Sequence, residues 1–239
     1  TLNQLLTRLD TLLVNQRRFL ADAAHELNTP LAAVKLQAQL VRRAPETDRL
    51  IALDELDRGI ARTSHLVSQL LLLARLEPDA RQPQPSLVQL DELVRGAVVS
   101  FAARATDQRI DLGLVSADPA CVWGDEQALR ALLDNLVDNA LRYSGEGARV
   151  DLALRVVGNQ AVVEVMDNGP GIAPMDRERV QERFVRLDQG HSTGSGLGLA
   201  IVRHITDLHR AQLELTEAPS GGLLVRIRLA LANCAVKPG

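Results

Sequence analysis

Aromatic residues are nearly absent from this chain: three Phe, one Tyr and one Trp among 239 residues. Binding of single-stranded nucleic acid relies on a basic groove lined by stacking aromatics. Neither is visible here, since the formal net charge is -3 and no basic block interrupts the sequence. A nucleic-acid partner is therefore not expected. Cysteine is scarce as well. Cys121 and Cys234 stand far apart with no companion at metal-ligand spacing, and they read as two reduced structural thiols. No stretch approaches the ~18 consecutive apolar residues of a membrane helix, and no signal peptide is visible. The opening run TLNQLLTRLDTLLVNQ has a helical pattern from its first residue with neither Met nor cap. It reads as the start of an excised fragment whose N-terminal part is missing.

Apolar residues make up 46 % of the chain, an ordinary share for a globular protein. The length suits two modest domains, each with its own core. In the first part, Leu20, Ala24, Leu27, Leu31, Val34, Ala38 and Val41 recur in steps of four and three, as do Leu53, Leu56, Ile60, Thr63, Val67, Leu70 and Ala74. This 3.5-residue repeat predicts two long helices with coiled-coil seams. Pro45 ends the first, Thr47 or Asp48 can cap the second, and the short connection makes an antiparallel hairpin. A lone hairpin buries only one stripe of each helix, so a second copy completing a four-helix bundle is expected.

Residues 77–86 hold Pro78, Pro83 and Pro85 and have no apolar periodicity, so they read as a linker. Beyond it the texture changes. Strand-like runs fall at 110–115, 150–157, 161–166, 213–216 and 223–229, with helical runs at 91–104, 125–143 and 197–209. This pattern predicts an α+β domain with a mixed sheet covered on one face.

Four groups of residues carry chemistry. His25 lies one position past the seam residue Ala24, at the water-facing edge of the first helix. An exposed imidazole keeps a ring nitrogen free as a nucleophile. Glu26 adjoins it as a base, Thr29 sits one turn on, and Pro30 bends the helix beside them. In the helix 125–143, Asn135, Asn139 and Arg142 fall within an arc of about 60° beside the apolar face. Amide oxygens suit Mg²⁺, and a guanidinium suits phosphate. Asp167, at the end of a strand and followed by Gly169 and Gly171, can accept from an exocyclic amine while the glycines allow close ligand approach. Gly194, Gly196 and Gly198 precede an apolar helix, which is a phosphate-cradle arrangement without a Walker or dinucleotide-binding pattern. The stretch 183–193 reads as a lid over bound nucleotide.

Taken together, these motifs resemble the sensor histidine kinases of two-component systems. FLADAAHELNTPL is similar to their H box, LLDNLVDNALRYS to their N box, MDNGPGI and GSGLGLAIV to their two glycine boxes, and ERFVR to their phenylalanine box, in the family's order and spacing. The resemblance implies a dimerisation and histidine-phosphotransfer hairpin at 1–77, a linker at 78–86, and an ATP-binding α/β sandwich of the Bergerat type at 87–239. It implies ATP-dependent phosphorylation of His25 and transfer to the receiver domain of a response regulator. The same resemblance makes Glu26 the general base and gives Thr29 the water used in dephosphorylating that partner. It further implies Asn139 as the Mg²⁺ ligand with Asn135 beside it, Arg142 on phosphate, Tyr143 near adenine and Asp167 on the adenine amine. Gly169, Gly171, Phe184, Arg186, Gly194, Ser195, Gly196, Leu197 and Gly198 would line the nucleotide. A homodimer is implied, and so is an origin as the cytoplasmic portion of a bacterial inner-membrane protein.

The alternative is a chaperone- or gyrase-like ATPase of the same fold. Those enzymes carry Glu where Asn135 stands, and an amide cannot deprotonate water. The chain departs from the family at Asn28, where a basic residue is usual, at Arg210 and Ala211, where Gly-Gly is usual, and in its short lid.

Overall fold

The computed structural model describes residues 2–76, 85–187 and 194–233, with side chains from Ala21 onward. The side chain of the seam position Leu20, most of the expected lid and Cys234 therefore lie outside what is described. The chain divides into two compact units, Thr1–Arg75 and Leu76–Gly239.

The first unit is a pair of long helices, α1 (Leu2–Arg43) and α2 (Arg49–Leu76). Pro30 lies inside α1. The turn between the helices closes with Ala44 N–H donating to the Leu40 carbonyl and Asp48 N–H to the Pro45 carbonyl, at 2.8 and 3.0 Å. Among the residues withdrawn from water are Ala23, Leu27, Pro30, Val34, Gln37, Val41 and Ala44 on α1 and Ala52, Leu56, Gly59, Thr63, Leu66, Leu70 and Leu73 on α2, two sets that alternate in steps of four and three. Asp22, Glu26, Ala38, Gln69 and Leu72 are withdrawn beside them. The two sets share Leu27, Val34, Val41, Leu56, Thr63 and Leu70 with the expected seams, whereas Ala24, Leu31, Leu53, Ile60, Val67 and Ala74 are exposed. The expected seams are thus corrected: they combine two neighbouring stripes, of which one faces inward within the hairpin and the other is exposed except at the half-buried Ala38. At Gly59, the lack of a Cβ makes room for the Gln37 amide, with Val34 Cγ2 3.3 Å from where that Cβ would stand.

The second unit is a two-layer α/β sandwich. Its five strands run in the order β2 (Asp111–Ala117), β4 (Arg149–Val157), β5 (Gln160–Asp167), β7 (Leu223–Ala230) and β6 (Gln212–Glu217). The β2–β4 pair is parallel and the others antiparallel, which makes the expected mixed sheet. Alternation decides the faces. Val150, Leu152 and Leu154, Ala161, Val163 and Val165, and Val225, Ile227 and Leu229 are buried under the helices. The opposite face carries cross-strand ion pairs in which Arg226 joins Glu164 at 2.7 Å and Glu214 at 3.0 Å.

Three helices cover the buried face: α3 (Leu90–Asp107), α4 (Glu126–Ser144) and α5 (Gly198–Leu208). Helix α4 begins at Asp125, whose carboxylate accepts from Ala128 N–H at 3.1 Å. A cap of this kind contributes ~1 kcal/mol. Two short strands, β1 (Ser86–Gln89) and β3 (Cys121–Gly124), pair antiparallel as a separate ribbon. Neither was legible, because four residues are too few to show a period. Ser86, the last residue of the expected linker, already pairs with Gly124. Cys121 is disulfide-bonded, which corrects the expectation of a reduced thiol there.

Arg109 and Arg210 have positive φ, +55° and +52°. Each follows a helix end at which the next amide reaches back: Ile110 N–H to Ala105 and Ala211 N–H to Thr206, at 2.8 and 2.9 Å. The α5 terminus is therefore the left-handed closure glycine usually makes, with arginine in glycine's place. No helix among the described residues is long and apolar enough to cross a membrane.

Candidate functional site

In the second unit the sequence motifs converge around the C-terminal half of α4, the end of β5 and the start of α5. Burial of Leu129, Leu132, Leu133, Leu136 and Ala140 turns one face of α4 to the sheet. That fixes where its polar residues point. Asn135 is buried, with its amide Nδ2 donating to the Ala131 carbonyl at 2.8 Å. Asn139 is half-buried and meets the first residue of α5, where a Cβ added to Gly198 would stand 2.8 Å from the Asn139 amide. Only glycine permits this approach, so the second glycine motif and the α4 amide form one wall.

Arg142 and Tyr143 occupy the last turn of α4. Arg142 Nη2 donates to Asp138 Oδ2 at 2.8 Å. The Tyr143 hydroxyl lies 2.5 Å from where a Cβ at Gly194 would be, and a Cβ at Gly169 would come within 3.0 Å of the Tyr143 carbonyl oxygen. The end of α4 thus touches both glycine motifs. Gly196, with φ of +68°, packs against the Phe184 backbone, and Phe184 N–H donates to its carbonyl at 2.9 Å. Phe184 itself has φ of +64°. This conformation is strained for an aromatic residue by about 1–3 kcal/mol, and it joins the two ends of the segment expected to be a lid. Ser195 Oγ accepts from Leu197 N–H at 3.3 Å, and Leu197 is fully buried. Arg186 is exposed just beyond Phe184. Residues 188–193 lie outside the described residues.

Asp167 ends β5 and is buried. Its Oδ1 accepts from Gly169 N–H at 2.9 Å and from Leu223 N–H at 3.2 Å. Among the described residues Oδ2 has no hydrogen bond. Burial pushes the Asp167 carboxyl above the usual aspartate range, and the two backbone N–H groups pull it back down. The arrangement fixes one carboxylate oxygen and leaves the other to accept from a ligand N–H.

The turn between β6 and β7 was not anticipated as part of the site. A Cβ on Gly171, whose φ is +69°, would meet the Gly222 carbonyl at 2.9 Å, and Gly222 itself packs on the Asp167 carbonyl. The Ser-Gly-Gly run at 220–222 signals a turn, but only the β5–β7 pairing brings it to Asp167. Asp138, shared between Arg104 of α3 and Arg142, was missed too.

In the first unit, His25 and Thr29 are exposed on α1 and Glu26 is half-buried. The expectation that His25 faces water agrees with this placement, while its stripe neighbour Ala24 is exposed too.

Comparison with known proteins supplies the class. Residues 15–79 match the His Kinase A (phospho-acceptor) domain, and residues 124–233 match the histidine kinase-, DNA gyrase B- and HSP90-like ATPase family. Sensor protein QseC of Salmonella typhi is 39 % identical over 230 residues, covering 95 % of this chain and 50 % of QseC. The structure of the mycobacterial sensor histidine kinase MprB is 31 % identical. The match takes in 62 % of this chain and 98 % of that one, with a TM-score of 0.55. The structure of histidine kinase ThkA in complex with response regulator protein TrrA shares the fold at 20 % identity, with a TM-score of 0.72 over 95 % of this chain and 64 % of that one. The chain belongs to the sensor histidine kinase family of two-component systems. It spans about half the length of the curated relatives it matches.

Proposed function

We propose that the chain binds ATP in its second unit, phosphorylates its own His25, and passes the phosphoryl group to an aspartate on the receiver domain of a response regulator. The observation that carries this reading is the pairing of Asp167, held by two backbone N–H groups with one oxygen left over, with an exposed histidine on α1. The first is a site for a base carrying an exocyclic amine, and the second is an accessible nucleophile. In the transfer, a His25 ring nitrogen attacks the γ-phosphorus. The new N–P bond replaces the bond to the ADP oxygen, and Glu26 takes the imidazole proton.

Roles in the nucleotide site follow from position. Asp167 accepts from the adenine amine, with Gly169 and Gly171 allowing approach. Tyr143 packs at the base side. Gly194, Ser195, Gly196, Leu197 and Gly198 present backbone at the start of α5, where a helix N-terminus favours phosphate. Arg142 neutralises phosphate charge, and Phe184 and Arg186 set the base of the segment that follows. The residues suit Mg²⁺ held jointly with nucleotide. Among the described residues no cluster of three His, Cys, Asp or Glu forms a protein-only cation site. The half-buried Asn139 amide, with Asn135 behind it, offers the single hard oxygen expected where phosphates and water complete the shell. Such an ion would neutralise charge developing on the transferred phosphoryl group.

The exposed stripe on the hairpin supports a homodimer. The resemblance to sensor kinases supports a place on the cytoplasmic side of a bacterial inner membrane. An ATPase that acts on water is disfavoured by Asn135, which has no basic oxygen to activate it.

The test is incubation with Mg²⁺ and γ-labelled ATP. Acid-labile label on the wild-type chain, lost in His25→Gln with ADP affinity kept within a few-fold, is expected. Label persisting at wild-type level in that variant would end the assignment.

A further inference from the structure

The two helices that wall the nucleotide site, α4 and α5, run antiparallel and meet at both ends. At the site end Gly198, the first residue of α5, lies against the Asn139 amide. At the other end His209, just past α5, reaches the residue that caps α4. Asp125 N–H donates to His209 Nε2 at 3.0 Å, and His209 Nδ1 stands 2.8 Å from the Ile205 carbonyl oxygen. A carbonyl only accepts, so the ring proton sits on Nδ1 and the Nε2 lone pair faces Asp125. One imidazole thus joins the last turn of α5 to the entry of α4. The ring also lies against β3, where a Cβ on Gly124 would come within 2.6 Å of His209 Cδ2 and 2.7 Å of Nε2. Only glycine admits the ring at that distance.

Between its two ends α5 buries Ile201, Val202 and Ile205. Apolar burial is non-directional. It opposes the departure of α5 from the domain far more than a small slide or turn of the helix. A hydrogen bond weakens steeply with angle and distance, so the bond at His209 fixes where along α4 the helix stands. That position matters at the opposite end, because the start of α5 and the glycines before it face the Asn139 wall. The base side is built differently. Asp167 belongs to β5 and is held by Gly169 and Leu223 N–H groups, with no part from α5. A displaced α5 would therefore disturb one half of the site and spare the other.

We infer that His209 is a positioning residue for the phosphate side of the nucleotide site, acting from the far end of α5. It does not touch the ligand. It sets α5 along α4, so that Gly198 and the backbone before it stand where phosphate is held. The inference rests on the nucleotide reading above. A histidine that merely fastened two helices would, when lost, lower stability while both halves of the nucleotide were affected alike.

Calorimetric titration of the full chain with ADP in Mg²⁺ and, separately, with adenosine distinguishes the two. His209→Leu removes the acceptor for Asp125 N–H and is expected to bind ADP about tenfold more weakly. Adenosine affinity is expected to stay within about twofold, and this also reports that the domain is folded. Gly124→Ala keeps every hydrogen-bonding group but displaces the ring, and should give the same split; it decides alone if His209→Leu does not fold. His209→Gln offers an amide oxygen in place of Nε2 and should regain most ADP affinity. ADP affinity unchanged in Gly124→Ala, adenosine affinity falling in parallel with that for ADP, or His209→Gln binding ADP no better than His209→Leu would each overturn the inference. Failure of the wild-type chain to bind either ligand would instead overturn the nucleotide reading, and this inference with it.

Discussion

Replacing Asp167 with Asn should weaken nucleotide binding and strengthen the empty domain at neutral pH. The two bonds that hold Oδ1, from Gly169 and Leu223 N–H at 2.9 and 3.2 Å, need only an acceptor oxygen, and the amide oxygen serves. The site should therefore keep its shape. What changes is the other atom: Oδ2 becomes an NH₂ group facing the adenine amine, donor against donor. A hydrogen bond to a charged acceptor contributes about 1.5–3 kcal/mol, so the dissociation constant for ADP should rise about ten- to hundredfold. Stability moves the other way. Burial, partly countered by the two N–H groups, raises the Asp167 carboxyl above its ordinary 3.8. Over the pH range between that value and the raised one, the native state holds more proton than the unfolded chain, so stability falls as pH rises through the range. At neutral pH the buried charge is a standing penalty that Asn lacks. Thermal melts without nucleotide should show the variant above wild type at pH 7, with the gap closing as the pH falls toward 4. Titration calorimetry supplies the affinities. An unchanged ADP affinity would refute the assignment of Oδ2, and a lower melting temperature at pH 7 would refute the electrostatic argument.

Arg210→Gly should stabilise the second unit by about 0.5–1 kcal/mol, because an exposed arginine holds φ of +52° where glycine has no steric penalty; denaturant unfolding checks it, and a loss of stability would mean that the arginine side chain matters more than its backbone. Glu26→Ala should slow autophosphorylation by about 10²–10⁴-fold, as removal of a positioned base implies, whereas Thr29→Ala should keep most of it and lose the ability to dephosphorylate the partner regulator. The two rates measured on the same preparations decide this, and the division of labour fails if Thr29→Ala slows autophosphorylation as much as Glu26→Ala does.

How legible the site was depended on how local each part is. The α4 residues Asn135, Asn139 and Arg142 share one helix, so the 3.6-residue period alone gathers them. The start of α5 and the end of β5 announce themselves by glycines next to an apolar run. What a linear reading could not supply were contacts made by topology. Leu223 N–H reaches Asp167 only because β7 pairs with β5, and their register is set by the sheet as a whole. Arg104 meets Asp138 only because α3 lies beside α4. The ribbon of β1 and β3 escaped notice for a different reason: its pairing sets the exposed Leu87 opposite the exposed Trp123 and the buried Val88 opposite the buried Val122, so both faces carry apolar residues and four-residue strands show no polar–apolar alternation in the sequence. At Arg210 the unusual residues suggested a different helix ending, yet the backbone takes glycine's conformation anyway. The hydrogen bond from Ala211 N–H to Thr206 evidently outweighs the local penalty.

In the hairpin the heptad count was right and the assignment of stripes was mixed, and the reason bears on assembly. A helix in a two-stranded pair needs one apolar stripe, whereas a helix in a four-stranded bundle needs two adjacent ones, because it touches two neighbours. The inward stripe is satisfied within the chain. The second stripe leaves Leu31 52 %, Ile60 46 % and Val67 39 % exposed, although full burial of such side chains contributes about 1.5–3 kcal/mol each. In the homodimer proposed above, two copies of this stripe close on one another. Ile60→Glu tests it without touching the nucleotide unit or the His25 segment. It removes one such contribution per protomer and places a carboxylate in the apolar seam of each, at a desolvation penalty larger than the burial it replaces. The dimer dissociation constant should rise by about a hundredfold or more, while ADP affinity stays at the wild-type value. Light scattering across a dilution series reads the first and calorimetry the second. A variant that dimerises at the same concentration as wild type would show that the exposed stripe is not the surface on which two chains meet.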